Sequence, residues 1–207
     1  LRLYEMFMGP LDATKPWNTE SVPGVYRFLQ RVWRLFVDED GSLSAKITDT
    51  PLSKDLRRVL HQTIKKVGSD VNSLNFNTAI SQMMIFVNEF SKAAELNRDA
   101  MVDFLKLVSP FAPHLGEEIW QMMGHSDSIA YAPWPDHNED FLKLDEVEIL
   151  VQFKGKPKAR ITMSPNLKPD EMEAVALAHP DVQAELGDQQ IIKVICVPGR
   201  LVNIVCR

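Results

Sequence analysis

A chain of 207 residues with 45% hydrophobic and 25% charged side chains has the balance of a folded globular protein, with material for one large domain or two small ones. Its net charge of −5 excludes a uniform basic coat for nucleic acid, and no apolar run reaches the roughly 18 residues of a membrane-spanning helix. The charge is uneven, because residues 1–147 carry 15 Lys/Arg against 21 Asp/Glu while residues 148–207 carry 8 against 7, so a local basic surface for RNA stays open.

In chain order, residues 1–8 read as the end of a helix closed by Gly9-Pro10. The opening Leu1-Arg2-Leu3-Tyr4 lies within an apolar pattern, lacks a starting Met and shows no signal peptide, so the chain is expected to be a piece of a longer protein. Residues 11–18 form a loop holding Pro16-Trp17. A helix is predicted over 19–36, with Val25, Phe28, Leu29, Val32 and Phe36 at helical spacing, and Asp38-Glu39-Asp40-Gly41 ends it. A polar loop covers 41–51. Ser53 can cap the next helix, where Leu56, Val59, Leu60, Thr63, Val67, Val71 and Leu74 recur at three and four. After a break at Asn75 or Asn77, Ala79, Ile80, Met83, Met84, Phe86, Val87, Phe90 and Ala94 mark a third long helix. A fourth is predicted over 97–108 and a fifth over 113–123. Five helices on short links predict an antiparallel bundle.

Residues 124–144, with Pro133-Trp134-Pro135, have the composition of a connector. Beyond them the period changes to two: Val147, Ile149, Val151 and Phe153 alternate with Glu148, Leu150, Gln152 and Lys154. Further strands are predicted over 159–163, 191–197 and 201–205, with a short helix over 168–178. The domain organisation expected is a mainly α bundle over 1–130, a linker over 131–145, and a small α+β domain over 146–207 in the order β-β-α-β-β. A hairpin turning at Pro198-Gly199 puts Cys196 opposite Leu201 or Val202 rather than Cys206. No disulfide is therefore expected, which suits a reducing cytoplasm, and two cysteines alone do not make a structural zinc site.

The most informative run is Ser109-Pro110-Phe111-Ala112-Pro113-His114-Leu115-Gly116-Glu117-Glu118-Ile119-Trp120. Two prolines three apart stop one helix near Val108 and start another near Pro113, where proline is tolerated in the first turn. Glu117 and Glu118 then fall in the first turns, where the helix dipole favours carboxylates. This run resembles the signature of the anticodon-binding helical domain of class I aminoacyl-tRNA synthetases for leucine, valine and isoleucine. Three further stretches are similar to leucyl-tRNA synthetases: Leu1 to Leu11 with Lys15-Pro16-Trp17, Gly24 to Leu35, and the tail from Val151-Gln152-Phe153-Lys154-Gly155-Lys156 to Val205. The tail separates the three amino acids. It has neither the sustained heptads that end valyl enzymes nor the four cysteines that end many isoleucyl ones. Two departures stand out: that family usually has Asn where Lys154 stands and an apolar residue where Pro157 stands. Pro157 cannot donate a ladder hydrogen bond, so it predicts a sheet edge or a bulge.

Arg27, Arg31 and Arg34 share one helix face, and Lys54, Arg57, Arg58, His61 and Lys65 share another, with Lys66 beside them. Spacing alone reads these stripes either as phosphate-facing or as solvated faces with i,i+4 pairs. Lys154, Lys156, Lys158 and Arg160 put four cations on a predicted hairpin. Phe153, Trp33 and Trp120 read as core, while Trp17, between Pro16 and Asn18, is the better stacking candidate. His114 with Glu117 and Glu118 has ligand-like spacing but no third and fourth partner for a metal. No nucleophile elbow, phosphate loop or cysteine–histidine pair occurs, and no KMSKS loop.

The resemblance implies a helical bundle of the class I anticodon-binding type followed by the small C-terminal domain. It implies tRNA(Leu) and the rest of a synthetase chain as partners, and a cytoplasmic monomer. The basic stripes, the hairpin cations and Trp17 would contact the tRNA. ATP and magnesium would serve the intact enzyme, with no cofactor in this portion and no catalytic residue of its own. The rival reading is a helical protein-interaction module with no RNA role.

Overall fold

The computed structural model describes residues 1–143, 147–187 and 189–207. The chain divides into two compact units, Leu1–Leu142 and Lys143–Arg207.

The first unit is helical: α1 (Arg2–Phe7), α2 (Val22–Phe36), α3 (Lys54–Asn72), α4 (Phe76–Phe90), α5 (Arg98–Val108) and α6 (Pro113–Met122). Every helix expected from periodicity is present. Side-chain caps set two of the starts: Ser53 Oγ accepts from the Leu56 N–H at 3.3 Å and Asn97 Oδ1 from the Ala100 N–H at 3.0 Å. The central helix is α4, packed against α1, α2 and α3. It buries Ala79, Ile80, Met83, Phe86, Val87 and Phe90, and Phe86 stacks between Phe90 and Phe104 at 3.8 and 3.9 Å. The loop after α2 holds a pairing that periodicity does not reveal. There β1 (Ile47–Thr48) runs parallel to β2 (Leu96–Asn97), tying the 41–51 loop to the start of α5.

The corner between α5 and α6 follows from its two prolines and one glycine. Phe111 is buried edge-on to Phe76, with centroids 5.9 Å apart. Gly116 lies against Ser109 so closely that a Cβ there would sit 3.1 Å from the Ser109 Cβ and 3.2 Å from its Cα. Glu117 does something other than meet the helix dipole. It lies in the second turn, where its carboxylate accepts from the Ser128 hydroxyl and, at 3.2 Å, from the Ile129 N–H. Its partners come from a segment that composition marks as a connector.

That segment departs further from expectation, because residues 124–142 belong to the first unit. Trp120 Nε1 donates to the Asp127 carbonyl at 2.8 Å, Trp134 lies over Gly68 of α3, and a one-turn helix at Glu139–Leu142 lies along α3. Polar, proline-rich composition signals irregular backbone, and here irregular backbone is tied to a helix face. Of the 131–145 linker, residues 131–142 therefore pack as part of the bundle. Of the remainder, Lys143 falls in the second unit, while Leu144, Asp145 and the expected domain start at Glu146 lie outside the described residues.

The second unit is a four-stranded sheet with two helices: β3 (Val147–Phe153), β4 (Lys156–Met163), α7 (Pro169–Ala178), α8 (Pro180–Leu186), β5 (Ile191–Val197) and β6 (Leu201–Cys206). Strand order is β4-β3-β6-β5, with β3 and β6 parallel and both hairpins antiparallel. Alternation buries Ile149, Val151 and Phe153 on β3 and Val202, Ile204 and Cys206 on β6, in one core with Met172, Ala176 and Val182 of the helices. Pro157 sits on an edge strand where the register shifts by one residue, as its missing N–H predicts. Cys196 pairs with Val202, and both cysteines are free thiols. The element order is β-β-α-α-β-β. The second helix is only seven residues long and starts on Pro180, with His179 Nδ1 accepting from the Asp181 N–H at 3.3 Å, too short for a period to be read.

Candidate nucleic-acid interface

The two stripes of the bundle fare differently. Arg27, Arg31 and Arg34 are all exposed on α2. Arg27 reaches back to the Pro23 carbonyl at 3.4 Å, and Arg31 and Arg34 form no ion pair among the described residues. On α3 the cations are engaged within the chain. Arg58 pairs with Asp55 at 3.2 Å, Lys65 with Glu139 at 2.6 Å and Lys66 with the buried Asp70 at 2.7 Å. Arg57 bonds the Leu52 carbonyl and lies 5.0 Å from the centre of the Phe141 ring. Lys54 also has a partner within the chain. His61 packs against Phe141 at 4.8 Å, and its Nδ1 accepts from the Asn138 N–H at 3.2 Å. Burial holds the His61 imidazole below its ordinary value, opposed by Asp103 and reinforced by His137 and Arg57. Of the expected contacts on α3, Lys65 thus meets a carboxylate of the 131–142 segment and Arg57 its Phe141 ring, while Arg58 and Lys66 are paired with Asp55 and Asp70 of the same helix. The α2 helix packs chiefly on α1 and α4, and α3 chiefly on α4 and α5.

Trp17 is 57% exposed, held edge-on to Tyr4 at 4.9 Å with its Nε1 donating to Thr19 Oγ1 at 2.9 Å. More than half of the residue's surface is therefore open to solvent. His114 and Glu118 are exposed on α6, and no group of three or more His, Cys, Asp or Glu is placed to hold a metal among the described residues.

The hairpin cations split in pairs. Lys154 and Gly155 have φ of +51° and +79°, and Phe153 pairs with Lys156 across a two-residue turn. The turn is clamped from β6, because the Lys154 N–H donates to the Ile204 carbonyl at 3.0 Å and the Gly155 N–H to Asn203 Oδ1 at 3.1 Å. Lys154 and Lys156 are exposed at its tip and unpaired among the described residues. Lys158 instead pairs with Glu185 at 2.5 Å and Arg160 with Glu148 at 3.4 Å. The contiguous run of four is really two free cations and two neutralised ones.

The sheet adds two cations that the run does not contain. Lys193 lies opposite Val205, and Arg207 exchanges both backbone hydrogen bonds with Gln190, at 2.9 and 3.1 Å. Because Lys154 bonds Ile204, the hairpin tip, Lys193 and Arg207 share one end of the sheet, with adjacent strands roughly 4.8 Å apart. Neither Lys193 nor Arg207 has an ion pair among the described residues. Lys193 was within reach of sequence reasoning, since the turn at Pro198-Gly199 puts 193 opposite 205. Arg207 was not, because nothing in the residue order says that the last residue meets Gln190.

Residues 53–175 match the family described as the anticodon-binding domain of tRNA ligase. The whole chain is 50% identical to part of a leucine–tRNA ligase from Rhodopirellula baltica, of which it spans 22%. The structure superposes over its full length on a crystal structure of a ternary LeuRS–tRNA–LeuAMS complex from Agrobacterium radiobacter, with a TM-score of 0.70, 28% identity and 28% of that chain covered. The matched residues run from the cap of α3 through the Pro110–Pro113 corner into the sheet unit, and on that ground the chain belongs to the anticodon-binding domain family of tRNA ligases.

Proposed function

We propose that this chain is the tRNA-binding C-terminal portion of a leucine–tRNA ligase, and that it positions tRNA(Leu) for ATP-dependent aminoacylation carried out elsewhere in the parent enzyme. The observation that carries the reading is a pair of unpaired basic groups, one in each unit. Arg27, Arg31 and Arg34 form the first. Lys154, Lys156, Lys193 and Arg207 form the second, at one end of the sheet. A net charge of −5 makes such concentrations of free cations notable, because many of the others are paired with acids, as Lys65 is with Glu139 and Lys158 with Glu185. The likeness to LeuRS in a complex with tRNA supports the same reading. Lys/Arg side chains contact phosphates and orient the RNA without reading bases.

The parent would use ATP and magnesium, act in the cytoplasm and work as a monomer. The isolated chain would take no cofactor and activate no leucine, since it has no nucleotide-binding signature. The test is a gel shift of the chain with tRNA(Leu) and with a second tRNA at two salt concentrations. Binding that weakens steeply with salt, with modest preference between the two, supports the reading. Salt-independent binding, or none, overturns it.

A further inference from the structure

Among the described residues, one cleft in the bundle is lined by three positive side chains and no carboxylate. Arg31 and Arg34 of α2 and Lys46 of the loop before β1 line it, and its volume is about 240 Å³. Buried Leu35, Phe90 and Leu96 are among its walls. The position of Arg34 has an internal reason, because a cation in the last turn of α2 meets the helix dipole favourably. That reason does not extend to Lys46, which arrives from a loop with its backbone pinned: the Leu96 N–H donates to its carbonyl at 2.7 Å, and its own N–H to Ser44 Oγ at 3.4 Å. None of the three side chains has a hydrogen bond or ion pair among the described residues. Three like charges converging on one cleft repel one another, and apolar walls strengthen that repulsion by excluding water on one side. No counter-charge among the described residues relieves it.

We propose that this cleft seats a single backbone phosphate of the bound RNA, held jointly by Arg31, Arg34 and Lys46. The proposal rests on the tRNA-binding reading above and narrows it to one contact. Two guanidinium groups offer forked donors matched to phosphate oxygens, and the ammonium adds a point charge. The apolar walls would take the adjoining ribose. Lys46 belongs to the site through the β1–β2 pairing, and no helical period could assign it.

A single shared phosphate makes a prediction that a row of separate contacts does not. Binding of tRNA(Leu) to the full chain is measured over a range of salt, for the parent and for Arg31→Ala, Arg34→Ala, Lys46→Ala and the triple variant. With one phosphate neutralised, the triple variant lowers the slope of log affinity against log salt by about 0.7 to 0.9, whereas three independent contacts lower it by about 2 to 3. The single variants should each approach the loss of the triple, because residues sharing one ligand are not additive. All three side chains are exposed, so thermal midpoints should move little. Lys46→Ala lies outside any helix and keeps the test valid should the Arg variants misfold. Unchanged affinity in the triple variant overturns the proposal while leaving the tRNA reading intact. Additive losses with a slope change near 3 overturn it also. Failure of the parent chain to bind tRNA at all removes the reading on which it rests, and the proposal with it.

Discussion

Lys154 occupies a backbone conformation, φ +51°, that Asn tolerates better than Lys and that a two-residue hairpin turn before Gly155 demands. Stability and charge therefore pull in opposite directions at this residue. Lys154→Asn should raise the unfolding midpoint of the sheet unit and weaken tRNA binding, read by thermal melts and salt-dependent gel shifts on the same preparation. A gain in stability with no loss of affinity would mean that the tip does not touch RNA. Among the four hairpin cations, Lys154→Ala with Lys156→Ala should lower the salt slope by about 1.4 to 1.8. The pair Lys158→Ala and Arg160→Ala should lower it less, since Glu185 and Glu148 already neutralise them. Gly116 gives a purely structural case. Gly116→Ala puts a Cβ against the Ser109 backbone, so it should destabilise the bundle by about 1 to 3 kcal/mol in denaturant titration despite its better helix propensity.

At the scale of elements, the decisive piece is the segment 124–142, held by Glu117 at one end and by α3 at the other. Limited proteolysis should spare it under native conditions at neutral pH, although its composition invites cleavage. Its attachment should depend on pH in two steps. Burial depresses the His61 pKa below the ordinary 6.5, so the contribution of neutral His61 is complete above that value and is lost as pH falls through the lowered one. Glu139 is likewise lowered from 4.5, first by its hydrogen bond from Lys65 and then by His137, so its contribution disappears at still lower pH. Hydrogen-exchange protection of 131–142 should therefore decline below about pH 6.5, and His61→Gln should abolish that first step. Protection that stays flat to pH 5 in the parent would refute the assignment. The helices themselves were legible in the residue order, because Val25, Phe28 and Val32, or Ile80, Met83 and Val87, recur at the period of a helix that buries one face. The 131–142 docking and the β1–β2 pair were not. Each is a long-range contact of irregular backbone, and no period encodes a partner 40 or more residues away. The same limit explains the candidate interface. The α2 stripe is visible from spacing, whereas the pairing of Lys65 with Glu139, the packing of Arg57 on Phe141 and the arrival of Lys46 depend on tertiary contacts alone.

At the scale of the whole molecule, the chain holds two separate hydrophobic cores on either side of the Leu142–Lys143 boundary, one centred on Phe86 and Phe104, the other on Val151 and Ile204. Each unit closes its own sheet or bundle, so 1–142 and 143–207 should each fold when expressed alone, with cooperative melting and native-like circular dichroism. Each carries its own free cations, which makes RNA binding divisible too. Salt slopes count neutralised phosphates, and phosphates touched by different units are different phosphates, so the slopes of the two pieces should sum to that of the intact chain. Affinity should behave otherwise. If both units engage one tRNA, the second contact becomes intramolecular, and the intact chain should bind about 10² to 10⁴ times more tightly than the better piece. An intact chain no tighter than one piece would assign RNA binding to that unit alone, and the slope retained by that piece would say whether the Arg31 cleft or the sheet end carries it.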